Sequence, residues 1–336
     1  MQFSIKEQGF SGLVGKTKIN CVIPCYNNQE TIGRCLQSLL VQSFPVEKIT
    51  ICDDGSTDQS LKIVHGLLEK SSIEWKILTF PQNQGIVRNF RRCFQQDDSE
   101  FLLFCAANDI FYSNHLRDLL QIVAKDPDCV LAYGHCEFLA DDGVCKETSY
   151  DFSNVEVKDR LPSEGFVEAA CTYHRATPLW GLYRTEALQV VNPFRFYPTA
   201  DAVFIAELAT LGNIQSTEDI TWARYFPYTR TRESLYRLTG PRPFDGYVSP
   251  WIQFPTIHRI RMMYRAFYEA RIPRGEFEEG LRQLARIMEN RWKRTLRIEQ
   301  DELRKRLGLL SKREKSWLRD EVRSTLRFHQ RLLRKS

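Results

Sequence analysis

Long apolar stretches are missing from this sequence. The longest uninterrupted run, residues 101–107, has seven residues, far short of the roughly 20 that cross a bilayer as a helix. Residues 1–20 contain no apolar segment of the secretory-leader kind, so neither export nor integral insertion is expected. Metal-ligand spacing is missing too. Ten cysteines include no C-x-x-C pair and the six histidines are scattered, which argues against a structural zinc site. Cys21, Cys52 and Cys105 fall inside apolar, strand-like runs, where free cysteine behaves as a small hydrophobe. A reducing cytoplasm is the compartment this placement predicts. There is no internal repeat, no low-complexity tract and no recognised nucleic-acid motif, so nucleic acid is not an expected partner.

What is present is an ordinary globular composition, 43% hydrophobic and 26% charged over 336 residues, enough for two domains or one large domain with an appendage. The net charge of +5 hides a division. Residues 256–336 carry 23 Lys and Arg against 11 Asp and Glu, while residues 1–255 carry 24 against 31. An acidic body and a basic tail imply different partners for the two parts.

The body alternates strand and helix signals. Residues 18–24, 48–52, 75–79, 101–106 and 130–138 read as strands. Residues 30–42, 58–70, 85–95 and 113–125 read as helices, the first with Ile32, Cys35, Leu36, Leu39 and Leu40 on one face. Asp58 is a candidate N-cap. This order predicts an α/β fold, a mostly parallel sheet with helices on both faces. Residues 140–180 read as loops with short strands, and 201–211 as a helix ending at Gly212. Beyond residue 254, helical spacing returns at Phe277, Leu281, Leu284, Met288 and Trp292, then at Leu318, Val322, Leu326 and Leu333. The expected organisation is one α/β domain over 1–254, in halves 17–138 and 139–254, followed by a basic helical extension over 255–336.

Chemistry concentrates at strand ends. One apolar run ends in Pro24-Cys25-Tyr26-Asn27 and the next in Asp53-Asp54-Gly55-Ser56-Thr57-Asp58. Open α/β sheets bind ligands beyond the carboxyl ends of their strands. Pro24 ends its strand by withholding an N–H, Tyr26 can lie against a flat base, and Asn27 can hydrogen-bond locally. Asp58 suffices to cap the next helix, so two further carboxylates at Asp53 and Asp54 suggest something that binds them. Asn83-Gln84-Gly85 reads as a turn in which Gly85 takes a glycine-type conformation, with Asn89 one helical turn later.

These segments together resemble the inverting glycosyltransferases of family 2, of GT-A fold. The resemblance rests on residues 22–27, Gln42-Ser43-Phe44, residues 53–58, Asn83-x-Gly85-x-x-x-Asn89 and residues 101–109, and spans about residues 17–235. It implies transfer of a sugar from a nucleoside diphosphate sugar, a UDP-sugar in the first place, to a hydroxyl of a glycan or lipid-linked acceptor, as in cell-surface polysaccharide synthesis. It implies that Pro24, Tyr26, Asn27, Asp53, Asp54, Asn83, Gly85 and Asn108 surround the nucleotide. It also implies that a divalent cation, Mg²⁺ or Mn²⁺, sits at the next strand end, where Asp109 is the candidate ligand and Asn108 replaces a common aspartate. An inverting transfer needs a base, and Asp201, heading a helix, fits that place; Glu218-Asp219 is the rival. Trp180 could wall a sugar ring, and Arg230 and Arg232 could reach the diphosphate. The basic tail suggests peripheral contact with the cytoplasmic face of an anionic membrane, or packing on the body. Competing readings are a non-catalytic binding protein of this fold and a sugar nucleotidyltransferase. Against the latter, the first strand exit lacks glycine and positive charge.

Overall fold

The structure is a computed structural model of the chain. It describes residues 17–95, 99–139, 145–148, 161–172, 177–191, 200–225, 255–270, 272–306 and 322–334. Arg230 and Arg232 lie outside the described residues.

The first elements follow the pattern of the sequence: β1 (Ile19–Cys25), α1 (Ile32–Leu40), β2 (Lys48–Asp53), α2 (Ser60–Leu68), β3 (Glu74–Thr79), α3 (Ile86–Phe94) and β4 (Phe101–Phe104). Then come β5 (Asp109–Phe111), α4 (His115–Lys125), β6 (Cys129–Leu139), β7 (Cys145–Thr148), α5 (Pro162–Thr172), β8 (Gly181–Arg184), α6 (Thr185–Val190), α7 (Ala200–Leu208) and β9 (Asn213–Tyr225). The tail forms α8 (Pro255–Glu269), α9 (Arg274–Arg306) and α10 (Arg323–Arg334). Helix α2 begins at Ser60, two residues after Asp58; the Asp58 carboxylate still accepts the Ser60 N–H at 2.9 Å. Helix α5 arises within a stretch whose sequence reads as loop. Its periodicity is weak, and Phe166 and Val167 are instead buried by tertiary contact.

The nine strands of the described residues join one sheet in the order β3-β2-β1-β4-β8-β6-β9-β5, with β7 paired to β6. Strands β1, β2, β3 and β4 are mutually parallel, β8 is antiparallel to β4 and β6, and β6 and β9 run together. β1, with every residue buried, is flanked by β2 on one side and β4 on the other. The chain moves outward from β1 to β2 to β3, then returns to the other side of β1 as β4. That reversal is the switch point at which open α/β sheets form a crevice. The exits of β1, β2 and β4 therefore share one edge. The halves expected on either side of residue 138 interleave, since β6 lies between β8 and β9.

The tail helices share this core. Ile257, Phe267, Leu284, Met288, Leu296 and Val322 are buried in the same cluster as the sheet. Glu299 of α9 accepts the N–H groups of Thr256 and Ile257 at 2.8 and 2.9 Å, satisfying the open amides that begin α8. Added bulk at Gly280 would meet Phe267 and Ser163 at 2.6 and 2.8 Å, so α9 lies close against α5 and α8. Helix α10 is pinned by His329, whose Nδ1 is 2.5 Å from the Tyr264 hydroxyl and Nε2 3.2 Å from Glu289. Its apolar residues Leu326, Phe328, Leu332 and Leu333 pack onto the core, leaving Arg323, Arg327, Arg331 and Arg334 outward. No helix among the described residues is long and apolar enough to cross a membrane.

Candidate active site

The exits of β1 and β2 are laced to each other. Asn27 takes a left-handed conformation, φ 51°. Its N–H donates to the Ser56 hydroxyl and its side-chain oxygen accepts the Thr57 N–H, both at 2.9 Å. Asn28 donates its N–H to Ser60 Oγ at 2.7 Å and accepts the Tyr26 N–H at 2.9 Å. Gln29 and Asp58 complete the lacing: Asp58 accepts the Gln29 N–H, and Gln29 Oε1 accepts the Gln59 N–H. Pro24 is buried beneath this junction, and Tyr26 is half-buried on it. Two separate sequence motifs thus form one rigid rim.

The carboxylates of Asp53 and Asp54 are buried, and protein amides answer their charge. Asp53 accepts the N–H groups of Gly55 and Ser56 at 3.1 and 3.2 Å. Asp54, 2% exposed, accepts those of Gln84 and Gly85 at 2.7 and 2.9 Å, one on each oxygen. Backbone donors thus bind both groups, so their burial by itself does not require a ligand. A carboxylate has about four acceptor sites, so Asp54 retains capacity beyond the turn it holds. Burial pushes its pKa up, opposed by the Gln84 and Gly85 amides and the Arg92 charge.

The Asp54 contact fixes the third loop. Gly85 has φ 93°, and Asn83 Oδ1 also accepts its N–H at 3.0 Å. Gly55 has φ 73°, and a Cβ there would lie 2.8 Å from the Gln82 carbonyl carbon. Both the torsion and the close approach of backbone to backbone require glycine. Asn89 lies buried below the loop and donates to the Cys52 carbonyl at 2.7 Å, a scaffold contact. Arg92 donates to the Asp53 carbonyl at 2.7 Å and lies 3.6 Å from the Phe80 ring centre. Arg88 is exposed on Gln84.

At the β4 exit the arrangement departs from expectation. Asp109 is fully buried, and both oxygens are taken by Arg224 of β9, Nε to Oδ1 at 2.8 Å and a terminal nitrogen to Oδ2 at 2.9 Å. Oδ2 also accepts the Ala106 N–H at 3.1 Å. Burial raises the Asp109 pKa while the Arg224 charge lowers it. Asn108 Nδ2 donates to the Tyr225 carbonyl at 3.0 Å, and the Asn108 carbonyl accepts the Tyr225 N–H at 3.1 Å. Asp109 therefore does not fit the ligand role expected of it, since its oxygens are committed to a guanidinium. Among the described residues, no group of three or more His, Cys, Asp or Glu is placed to hold a metal ion. Arg224 is the residue that sequence reasoning missed; its partner is 115 positions away, and no local spacing signals it.

Trp180, 8% exposed, stacks on Phe104 with ring centres 4.9 Å apart and lies beneath Arg224 at 4.6 Å. It is a core residue of the β4–β8 junction. Gln42 of the Gln-Ser-Phe motif ties α1 to the loop after β5, donating to the Tyr112 carbonyl at 2.8 Å and accepting the Leu116 N–H at 3.1 Å.

Asp201 occupies the first turn of α7 and accepts the Ala202 N–H at 2.8 Å. Burial raises its pKa, opposed by the Ala202 amide and by the charge of Arg259 from α8. Phe204, one turn on, packs against Phe94 and Tyr183, which sets α7 against α3 and β8. The rival Glu218 and Asp219 are exposed within β9, where its register with β6 shifts; they head no helix.

Comparisons with known proteins agree with this architecture. Residues 21–149 match the family described as Glycosyl transferase family 2. An uncharacterized glycosyltransferase of Nostoc sp. is 27% identical over 60% of this chain and 62% of its own length. The GalNAc(5)-diNAcBac-PP-undecaprenol beta-1,3-glucosyltransferase of Campylobacter jejuni is 20% identical over 75% of this chain and 86% of its own. The crystal structure of S. aureus TarS 1–349 in complex with UDP-GlcNAc superposes with a TM-score of 0.57 at 19% identity, covering 83% of this chain and 73% of that one. That likeness establishes the GT-A type of fold. The laced exits at the switch point, the profile matched over residues 21–149 and the related enzymes support a glycosyltransferase of family 2.

Proposed function

We propose that the chain transfers a sugar from a nucleoside diphosphate sugar to a hydroxyl of a glycan or lipid-linked acceptor, with inversion. The observation that carries this reading is the convergence of the β1, β2 and β3 exits on Asp54. That carboxylate fixes the Asn83–Gly85 turn and keeps acceptor capacity for a base or ribose donor. Pro24, Tyr26 and Asn27 form one wall, Asp53 and Asp54 the floor, Asn83 and Gly85 the other wall, and Asn108 the side nearest the diphosphate. The UDP-GlcNAc named with the TarS structure supports a UDP-sugar as donor. The undecaprenyl-diphosphate-linked substrate named for the C. jejuni enzyme supports a lipid-linked acceptor.

Asp201 is the proposed base. It would take the acceptor hydroxyl proton as that oxygen attacks the anomeric carbon opposite the departing diphosphate. A pKa raised by burial suits a base working nearer neutral pH. Asp201→Asn should lower kcat about 10²–10⁴-fold while nucleotide affinity holds within about twofold. In the wild type, kcat should fall with acid at a pH above the ordinary carboxylate range, because the base must be deprotonated. Retention of transfer within tenfold in the variant would remove Asp201 from the role. The outward arginines of α10 support contact with an anionic bilayer surface by charge alone, since its apolar face is packed. Co-sedimentation with phosphatidylglycerol vesicles that is lost at high salt is the expected result; binding that persists in high salt would contradict it.

A further inference from the structure

We propose that donor binding by this chain is independent of divalent cations and that Arg34 supplies positive charge to the diphosphate in their place. The proposal rests on the nucleotide-sugar reading of the site.

The β4 exit offers no available carboxylate. Ala106 and Ala107 have no side-chain ligand atom, and Asn108, whose Nδ2 is bonded to the Tyr225 carbonyl, has only a neutral amide oxygen to offer. Asp109 holds Arg224 through both oxygens. A cation could reach Asp109 only by displacing that guanidinium. Arg224 lies 4.6 Å from the Trp180 ring centre and 5.0 Å from that of Trp222. Displacement would leave a positive charge without its counter-ion among buried aromatics, which is strongly destabilising. Mg²⁺ and Mn²⁺ sites of this kind hold the ion by one or two carboxylates plus substrate phosphates. Here the first half of that set is missing, and at the β2 exit Asp53 accepts amides of its own turn while Asp54 accepts those of Gln84 and Gly85.

An exposed cation stands beside this exit instead. Arg34 lies in the first turn of α1, immediately after the laced β1 loop, with its guanidinium 4.4 Å from the centre of the Tyr225 ring. Tyr225 is the residue whose backbone pairs with Asn108. The neighbouring Cys35 points its thiol at the Ala106 carbonyl, 3.4 Å away, so α1 packs against this same exit. Arg34 thus stands exposed beside the β4 exit, against the ring of the residue that pairs with Asn108. A guanidinium meets phosphate oxygens with paired N–H donors, and a helix N-terminus adds favourable polarity.

The test is calorimetric titration of the full chain with UDP, GDP and dTDP, each in EDTA and in Mn²⁺. It is paired with an electron-spin-resonance titration that reads free Mn²⁺ with and without protein. The expected result is that the tightest nucleotide binds with a Kd equal within twofold in the two buffers, that protein removes no Mn²⁺ from solution, and that Arg34→Ala weakens binding fivefold or more. Tightening by Mn²⁺ of fivefold or more would overturn cation independence, as would Mn²⁺ uptake by the protein alone. Unchanged affinity in Arg34→Ala would overturn the role of Arg34. Failure of every nucleotide to bind would refute both the donor reading of the site and the assignment of Arg34. The Mn²⁺ titration of the protein alone would then decide whether this exit holds a cation at all.

Discussion

Two strand exits of this sheet carry aspartate in nearly the same setting, yet they are electrostatically opposite. At the β2 exit, Asp53 and Asp54 accept hydrogen bonds from backbone amides, with the Arg92 charge acting on Asp54, which lowers the cost of burying negative charge without a direct ion pair. At the β4 exit, Asp109 meets a guanidinium and its charge is cancelled. The first arrangement leaves Asp54 with two backbone donors on a group that has about four acceptor sites. The second is a clasp that ties β5 to β9 and steadies Trp180 behind the site. Residue type therefore does not decide whether a strand-end carboxylate is available for chemistry; the nature of its protein partner does.

That contrast can be broken first at the clasp. Asp109→Ala leaves Arg224 charged and largely buried, so unfolding in urea should show a loss of about 3–5 kcal/mol. A loss below about 1 kcal/mol would mean that the clasp does not hold the exit. A smaller effect is expected at the other exit from Gly55→Ala, which forces a side chain into φ 73° and against the Gln82 backbone. The strain should cost about 1–3 kcal/mol. It should also shift the loop that Asp54 holds, so nucleotide affinity should fall with stability. Affinity unchanged in a folded variant would separate that loop from the site. The smallest effect should come from Glu74→Gln. Its ion pair with Lys48, at the far end of β2, is short at 2.6 Å but 65% exposed on the glutamate side. Solvent screening limits such a pair to about 0–1 kcal/mol. A larger loss would show that distance rather than burial governs pairs in this sheet.

Much of the fold is legible along the chain because its signals are local. The apolar runs at 19–23, 49–52 and 101–104 become the buried strands β1, β2 and β4, and the helical spacing of Ile32, Cys35, Leu36 and Leu39 becomes the inner face of α1. The parallel first half follows from strands joined by helical crossovers. Strand β5, of three residues, and strand β8, of four, carry too little pattern to be seen. They are strands because β9, β4 and β6 accept them as partners.

The candidate site divides in the same way. Pro24, Tyr26, Asn27, Asp53, Asp54, Asn83 and Gly85 stand out by position, since strand ends and glycine turns announce themselves over a few residues. The sequence by itself determined where these groups would cluster, because backbone periodicity and turn chemistry act over short spans. Only the tertiary structure decided what each group does there. Asp109 met Arg224 across 115 positions, Asn27 met Ser56 across 29 and Asp54 met Gly85 across 31. Hydrogen bonds and ion pairs are set by distance in space, and no spacing along the chain encodes that distance before the sheet has formed.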